Sequence, residues 1–376
     1  MTEDFLPIKG IDHVEFYVGN AKQAAHFYRT AFGFASAAYS GLETGNRERA
    51  SYVLEQGKIR FILSTALNPD HPISRSVHLH GDGVAVIGLE VPDAASAYEE
   101  STKRGATGAI KPTQEEDDYG VFRYSAIRAY GDTLIKFIDR TNYNGPFAPG
   151  YRAMNGVRGN GQNGSGNGRL RHKGVGLAHI DHIVGNVELG AMNRWVEFFA
   201  HTMGFSQLLH FDDRDISTEY SALMSKVMQD GTGKVKFPIN EPAEGQKKSQ
   251  IQEYLDYYYG PGVQHLALST GNIIETVARL QESGVDFLHV PTTYYDDLEA
   301  RVGKINEPVD KLAELGILVD CDDEGYLLQI FTKPVEDRPT VFFEIIERHG
   351  SRGFGKGNFK ALFEAIEREQ DLRGNL

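Results

Sequence analysis

Apolar and polar residues alternate along this chain in short runs bounded by Gly, Pro and Asn, and the runs return in a fixed order. Residues 11–34, IDHVEFYVGNAKQAAHFYRTAFGF, open as an alternating strand. They pass into a helical stretch carrying Phe27-Tyr28 and stop at Gly33-Phe34. Residues 180–205, IDHIVGNVELGAMNRWVEFFAHTMGF, repeat the scheme, with Phe198-Phe199 on the helix and Gly204-Phe205 at its end. GDGVAVIGLEV (81–91) answers GPGVQHLALST (260–270), and each is followed by a helical stretch that ends at Gly105 or Gly284. GDTLIKFIDR (131–140) answers TVFFEIIER (340–348). The chain therefore reads as two copies of one larger unit, each holding strand–helix–strand elements twice with short crossover helices.

At 376 residues the chain is too long for one ordinary core. The join lies in residues 151–176, YRAMNGVRGNGQNGSGNGRLRHKGVG, whose Gly and Asn content predicts a flexible linker. The units are then 1–150 and 177–376. Set side by side, His13 corresponds to His182, Val86 to His265 and Lys136 to Glu344. The second copy has two His and one carboxylate, a set that ligates metals and leaves coordination positions open. Valine cannot ligate, and a lysine ammonium repels a cation. The first unit is expected to be a structural domain without metal, the second the catalytic one.

Strand parity sharpens the candidates. His182 shares a face with Ile180 and Val184, His265 with Val263 and Ala267, and Glu344 with Phe342 and Ile346. Each is a polar group on an apolar face, and a carboxylate so placed needs a partner or a metal. His179 points the other way and reads as an outer donor to the site, His13 as a structural remnant. Gln264, next to His265, should face away. Spacing alone leaves iron and zinc open.

Charge and cysteine usage narrow the partners. Against 39 Lys and Arg stand 52 Asp and Glu, a formal net charge of -13. That argues against nucleic acid or an anionic membrane as the main partner, while leaving room for a local basic pocket. Cys321 is the one cysteine, so no internal disulfide forms. Its acidic setting, VDCDDEG, disfavours a reactive thiolate. MTEDFLPIKG lacks the basic start and apolar core of a secretion signal, and no apolar run reaches membrane length. A cytoplasmic location is expected. Near the end, GFGKGNF reads as a glycine hinge. Asn358 is the expected N-cap of a helix whose stripe is Phe359, Leu362, Phe363 and Ile366.

Five segments carry a resemblance across nearly the whole chain: HIDHIVGNV, FPINEP (237–242), KSQIQEYLDYYYGPGVQHLAL (248–268), GYLLQIFTKPVEDRPTVFFEIIER (325–348) and GFGKGNFKALF (353–363). In these the sequence resembles the 4-hydroxyphenylpyruvate dioxygenase family of the vicinal oxygen chelate superfamily. The resemblance implies an α+β fold of two tandem glyoxalase-like domains. Each would pair βαβββ modules into an open barrel, and the chain would end in a lid helix. It implies one iron(II) per chain on His182, His265 and Glu344, with a 2-oxo acid and dioxygen as substrates in a step of tyrosine breakdown. Asn240, Gln250, Gln329 and Phe359 would be catalytic. Ser225, Gln264, Phe331, Phe342, Asn358, Leu362 and Phe363 would join them around the substrate, Phe342 and Phe359 sandwiching its ring. A homodimer or homotetramer is implied too. Two alternatives stay open: a 4-hydroxymandelate synthase on the same substrate, which Pro238, Asn240 and Phe342 disfavour, and a redox-inert metal isomerase on the same scaffold.

Overall fold

The computed structural model describes residues 4–154, 174–211, 223–243 and 247–375. Most of the linker expected over 151–176 lies outside them. The first sheet takes β1 (Gly10–Tyr17), β2 (Ala35–Ser40), β3 (Arg49–Gln56), β4 (Ile59–Ala66), β5 (Gly83–Glu90), β6 (Gly108–Asp117), β7 (Gly120–Arg128), β8 (Leu134–Tyr143) and the two-residue β9 (Arg152–Ala153). The second takes β10 (Leu177–Asn186), β11 (Ser206–Phe211), β12 (Leu223–Gln229), β13 (Lys236–Pro242), β14 (Gly262–Thr270), β15 (Leu318–Asp322), β16 (Gly325–Phe331) and β17 (Phe342–His349).

Edge to edge the first sheet runs β6-β7-β8-β5-β1-β4-β3-β2-β9 and the second β15-β16-β17-β14-β10-β13-β12-β11. With β9 set aside these are one order, so the repeat seen in the sequence is a repeat of topology. Register agrees residue by residue. Glu15 pairs with Val86 as Val184 pairs with His265, and Gly88 pairs with Lys136 as Ala267 pairs with Glu344. Both sheets also share an irregularity. The pairing steps from Glu15–Val86 to Phe16–Val84, and from Val184–His265 to Gly185–Val263. Ala85 and Gln264 are the extra residues, each a β-bulge in the strand that carries the second candidate ligand position.

The two sheets share one large apolar core, and each half keeps a smaller cluster of its own. Phe343 of β17 is fully buried. It packs on Tyr28, Phe32 and Phe61 from the first half, with ring centroids 5.8, 5.0 and 5.9 Å away. Burial of one such ring contributes about 3 kcal/mol. The halves also touch through backbone. The β3–β4 turn lets Lys58 N–H donate to Ala178 O at 2.6 Å. Gly57 holds that turn at φ +58, where a Cβ would run into the same carbonyl. Among the described residues, no helix is long and apolar enough to cross a membrane.

Candidate metal centre

β10, β14 and β17 are neighbours in the second sheet, and each delivers one side chain to a common point. His182 Nε2 lies 3.1 Å and His265 Nε2 3.5 Å from Glu344 Oε2. The three donor atoms fall within 4.8 Å of one another, and all three residues are buried. Burial alone would raise the Glu344 carboxyl, but the two imidazoles outweigh it and hold it down at about 2. The same carboxylate raises His182 against its burial, whereas burial dominates at His265 and lowers it.

Each imidazole is turned inward by a bond at its other nitrogen. His182 Nδ1–H donates to Asp181 Oδ1 at 2.8 Å, and His265 Nδ1–H donates to Gln264 Oε1 at 3.0 Å. That leaves both Nε2 atoms as acceptors aimed at the centre, an outer arrangement that orients metal ligands. Asp181 is in turn gripped by Arg348, whose Nε and Nη2 donate at 2.8 Å to its two oxygens. Burial would raise Asp181, but Arg348 and His182 hold it well below the usual carboxylate range. Arg348 also reaches the chain beyond β17, donating Nη1 to Gly353 O at 2.6 Å. Phe354 from that segment lies edge-on to the His182 ring, 4.9 Å between centroids.

The triad opens on a cavity of about 70 Å³. Ser225, Asn240, Gln250, Gln264, Phe331 and Phe342 line it, with Phe359, Leu362 and Phe363 from the C-terminal helix Phe359–Leu372. Phe342 lies flat on the His265 imidazole, 4.7 Å between centroids and 21° between planes. Ser225 and Asn240 pair across β12 and β13.

Four expectations differ from the structure. Gln264 does not face away, because it is the bulged residue. The bulge re-aims its amide beside His265, where alternation would have sent it behind the sheet. Asn358 stands at the N-cap position in αR conformation, and its side chain caps nothing. Its Oδ1 instead accepts from Tyr294 Oη at 2.6 Å. Gln329 and Asn358 are fully buried yet absent from the cavity wall. Gln329 lies behind Gly355, which holds φ +77 where a Cβ would collide with the Gln329 amide. His179 turns to Ser269 Oγ at 2.7 Å and borders the cleft between the halves, rather than bonding to His182 or Asp181. Cys321 is exposed, and burial and then Asp320 push its thiol up.

The residues missed were Asp181, Arg348 and Phe354. The first two had a signal. Ile-Asp-His opens both copies, and Arg140 and Arg348 stand in the matching strands four residues after Lys136 and Glu344. Phe354 had none, since only the folded chain shows what the hinge packs against.

Known proteins are similar to this chain over its whole length. Residues 3–148 match the family model described as "Hydroxyphenylpyruvate dioxygenase, HPPD, N-terminal". Residues 179–315 match "Glyoxalase/Bleomycin resistance protein/Dioxygenase superfamily". A 4-hydroxyphenylpyruvate dioxygenase of Aspergillus fumigatus is 46% identical, covering 100% of this chain and 96% of its own. One of Dictyostelium discoideum is also 46% identical, covering 98% of this chain and 100% of its own. Among solved structures, a triple mutant of 4-hydroxymandelate synthase from Streptomyces coelicolor superposes with a TM-score of 0.84 at 29% identity, covering 97% of this chain and 100% of that one.

Proposed function

The chain belongs to the 4-hydroxyphenylpyruvate dioxygenase family, and from that premise we propose that it converts 4-hydroxyphenylpyruvate and dioxygen into homogentisate and carbon dioxide. The observation that carries this reading is the convergence of two imidazole Nε2 atoms and one carboxylate at the wall of an aromatic-lined cavity. The donor set fits a divalent ion. Both outer nitrogens are tied, the carboxylate is ionised, and among the described residues no Lys or Arg lines the pocket. Iron(II), one per chain, is the ion of this reading. When bound it supplies the redox chemistry and open positions for a 2-oxo acid and oxygen.

The protein's own residues then orient and enclose. Phe342 offers a flat wall next to the metal position, and Phe359 closes the opposite side. Asn240, Gln250 and Ser225 are neutral polar groups that hold the substrate's oxygens without competing for the ion. Gln264 keeps His265 in its ligating tautomer while lining the pocket. Gln329 and Asn358, one layer out, fix the hinge from which the helix starts.

A cavity of about 70 Å³ is about half the ~150 Å³ that takes a benzene ring in a protein interior. Phe359, Leu362 and Phe363 therefore swing out to admit the ring and return to shut water out. The far end of that helix stays pinned, because Arg373 donates to Glu253 at 2.7 Å. A cytoplasmic homodimer or homotetramer completes the reading.

Product identity is the test. The protein is reconstituted anaerobically with iron(II), mixed with 4-hydroxyphenylpyruvate and oxygen, and its product separated by chromatography and mass. Homogentisate with one oxygen consumed per substrate is expected. Hydroxymandelate as sole product would make it a mandelate synthase, a reading the lower identity to that enzyme disfavours. No iron-dependent oxygen uptake would leave only a redox-inert role for the triad.

A further inference from the structure

The place that holds the triad in the second half is a larger hole in the first. There, His13, Glu15, Arg49 and Lys136 face a cavity of about 380 Å³. By the ~150 Å³ measure for one benzene ring, it has room for a ring and a polar head.

Its polar groups are specific. His13 is 1% exposed. Its Nδ1–H donates to Asp12 Oδ2 at 2.6 Å, so Nε2 is left as a bare acceptor. That nitrogen is buried and has no hydrogen-bond partner, which folded proteins rarely tolerate without a ligand or water. Glu15, two residues along the same strand, is kept ionised against its burial by Arg49 and Lys136. It spends Oε1 on Ser64 and Arg49, at 2.6 and 3.4 Å. Lys136 holds its ammonium 4.2 Å above the Tyr124 ring. Among the described residues no carboxylate lies within ion-pair distance of it. Phe147 closes one side, edge-on to His13 at 5.5 Å.

This mixture excludes simple ligands. A metal would meet the Lys136 ammonium. A plain carboxylic acid would satisfy Lys136 and Arg49 but offer nothing to His13 Nε2. An amine would leave the Lys136 ammonium without a counter-charge, since Arg49 alone is paired with Glu15. A ligand carrying both charges on one carbon satisfies all four groups, and the aromatic walls suit an apolar side chain.

We propose that the N-terminal cavity binds a free aromatic α-amino acid, its ammonium at His13 Nε2 and Glu15, its carboxylate at Lys136 and Arg49, and its ring between Tyr124 and Phe147. The site is separate from the triad and does not depend on what reaction the triad performs.

The experiment is calorimetric titration of the full-length, metal-loaded protein with L-phenylalanine, L-tyrosine and L-tryptophan, against 3-phenylpropionate, which keeps ring and carboxylate but lacks the ammonium. Saturable binding of at least one amino acid at one per chain is expected, with 3-phenylpropionate at least tenfold weaker. Lys136→Gln and Glu15→Gln should each weaken it at least tenfold, while Glu344→Ala leaves it in place. Should a variant fail to fold, hydrogen exchange on the unmodified protein decides. The ligand should slow exchange in residues 120–128 and 145–151. No saturable binding, equal binding of 3-phenylpropionate, protection confined to the second half, or loss in Glu344→Ala with retention in Lys136→Gln would overturn the proposal.

Discussion

The two halves hold the same frame around different centres. In the first, Arg140 grips Asp12, donating Nε at 2.5 Å and Nη2 at 3.0 Å, and Asp12 accepts from His13. In the second, Arg348 grips Asp181 and Asp181 accepts from His182. Even the arginine's third contact is shared, since Arg140 donates to Phe147 O as Arg348 does to Gly353 O. The bulge is kept as well. What differs is Val86 for His265, Lys136 for Glu344, Glu15 for Val184 and, at the bulge, Ala85 for Gln264. A sheet, a buried Asp–Arg pair and an oriented histidine thus recur in both halves, while among the described residues the His-His-Glu donor set stands in the second. Two ligand positions decide, and the frame only aims what stands there.

The comparison can be broken at several points. The strongest is Glu344→Ala. It removes the anionic ligand that balances a divalent charge, an effect of several kcal/mol, so iron-dependent oxygen uptake should fall by about a thousandfold or more. Retained turnover would mean the centre lies elsewhere. Next is the paired test of the frame. Arg348→Met loosens the carboxylate that orients His182 and should weaken metal binding about 10- to 100-fold, while Arg140→Met leaves metal affinity unchanged. Competition with a chelator reads both. Equal effects would mean the arginines serve only folding. Smaller in number but most direct on the contrast is Val86→His with Lys136→Glu. It rebuilds the triad beside His13 and should raise bound metal from one to two per chain by elemental analysis. A ratio still at one would show that the frame of the first half cannot aim ligands. Least is Gly355→Ala, which strains a left-handed residue against Gln329. It should cost about 1–3 kcal/mol by denaturant titration. No loss would mean the hinge does not need glycine.

Most of this was legible because the repeat is in the sequence. Comparing two copies isolates three positions out of 376, and the register of β14 and β17 bears out that alignment. The fold and family were legible for the same reason, through long ordered motifs. What escaped is what crosses the chain. Arg348 and Asp181 are 167 residues apart, and their pairing follows from sheet order, which no local pattern shows. Gln264 escaped because alternation assumes a regular strand and a bulge breaks it. Asn358 was misassigned because a cap is the local use for an Asn before a helix. Tyr294, 64 residues away, offered a hydroxyl instead.

Iron stoichiometry tests the central claim most directly. The chain is titrated anaerobically with iron(II), and bound metal and 4-hydroxyphenylpyruvate-dependent oxygen uptake are measured at each point, in the unmodified protein and in Glu344→Ala. Binding and uptake should rise together and saturate at one iron per chain, with neither in the variant. Two tight irons in the unmodified chain, or full uptake by Glu344→Ala, would contradict a single centre built on His182, His265 and Glu344.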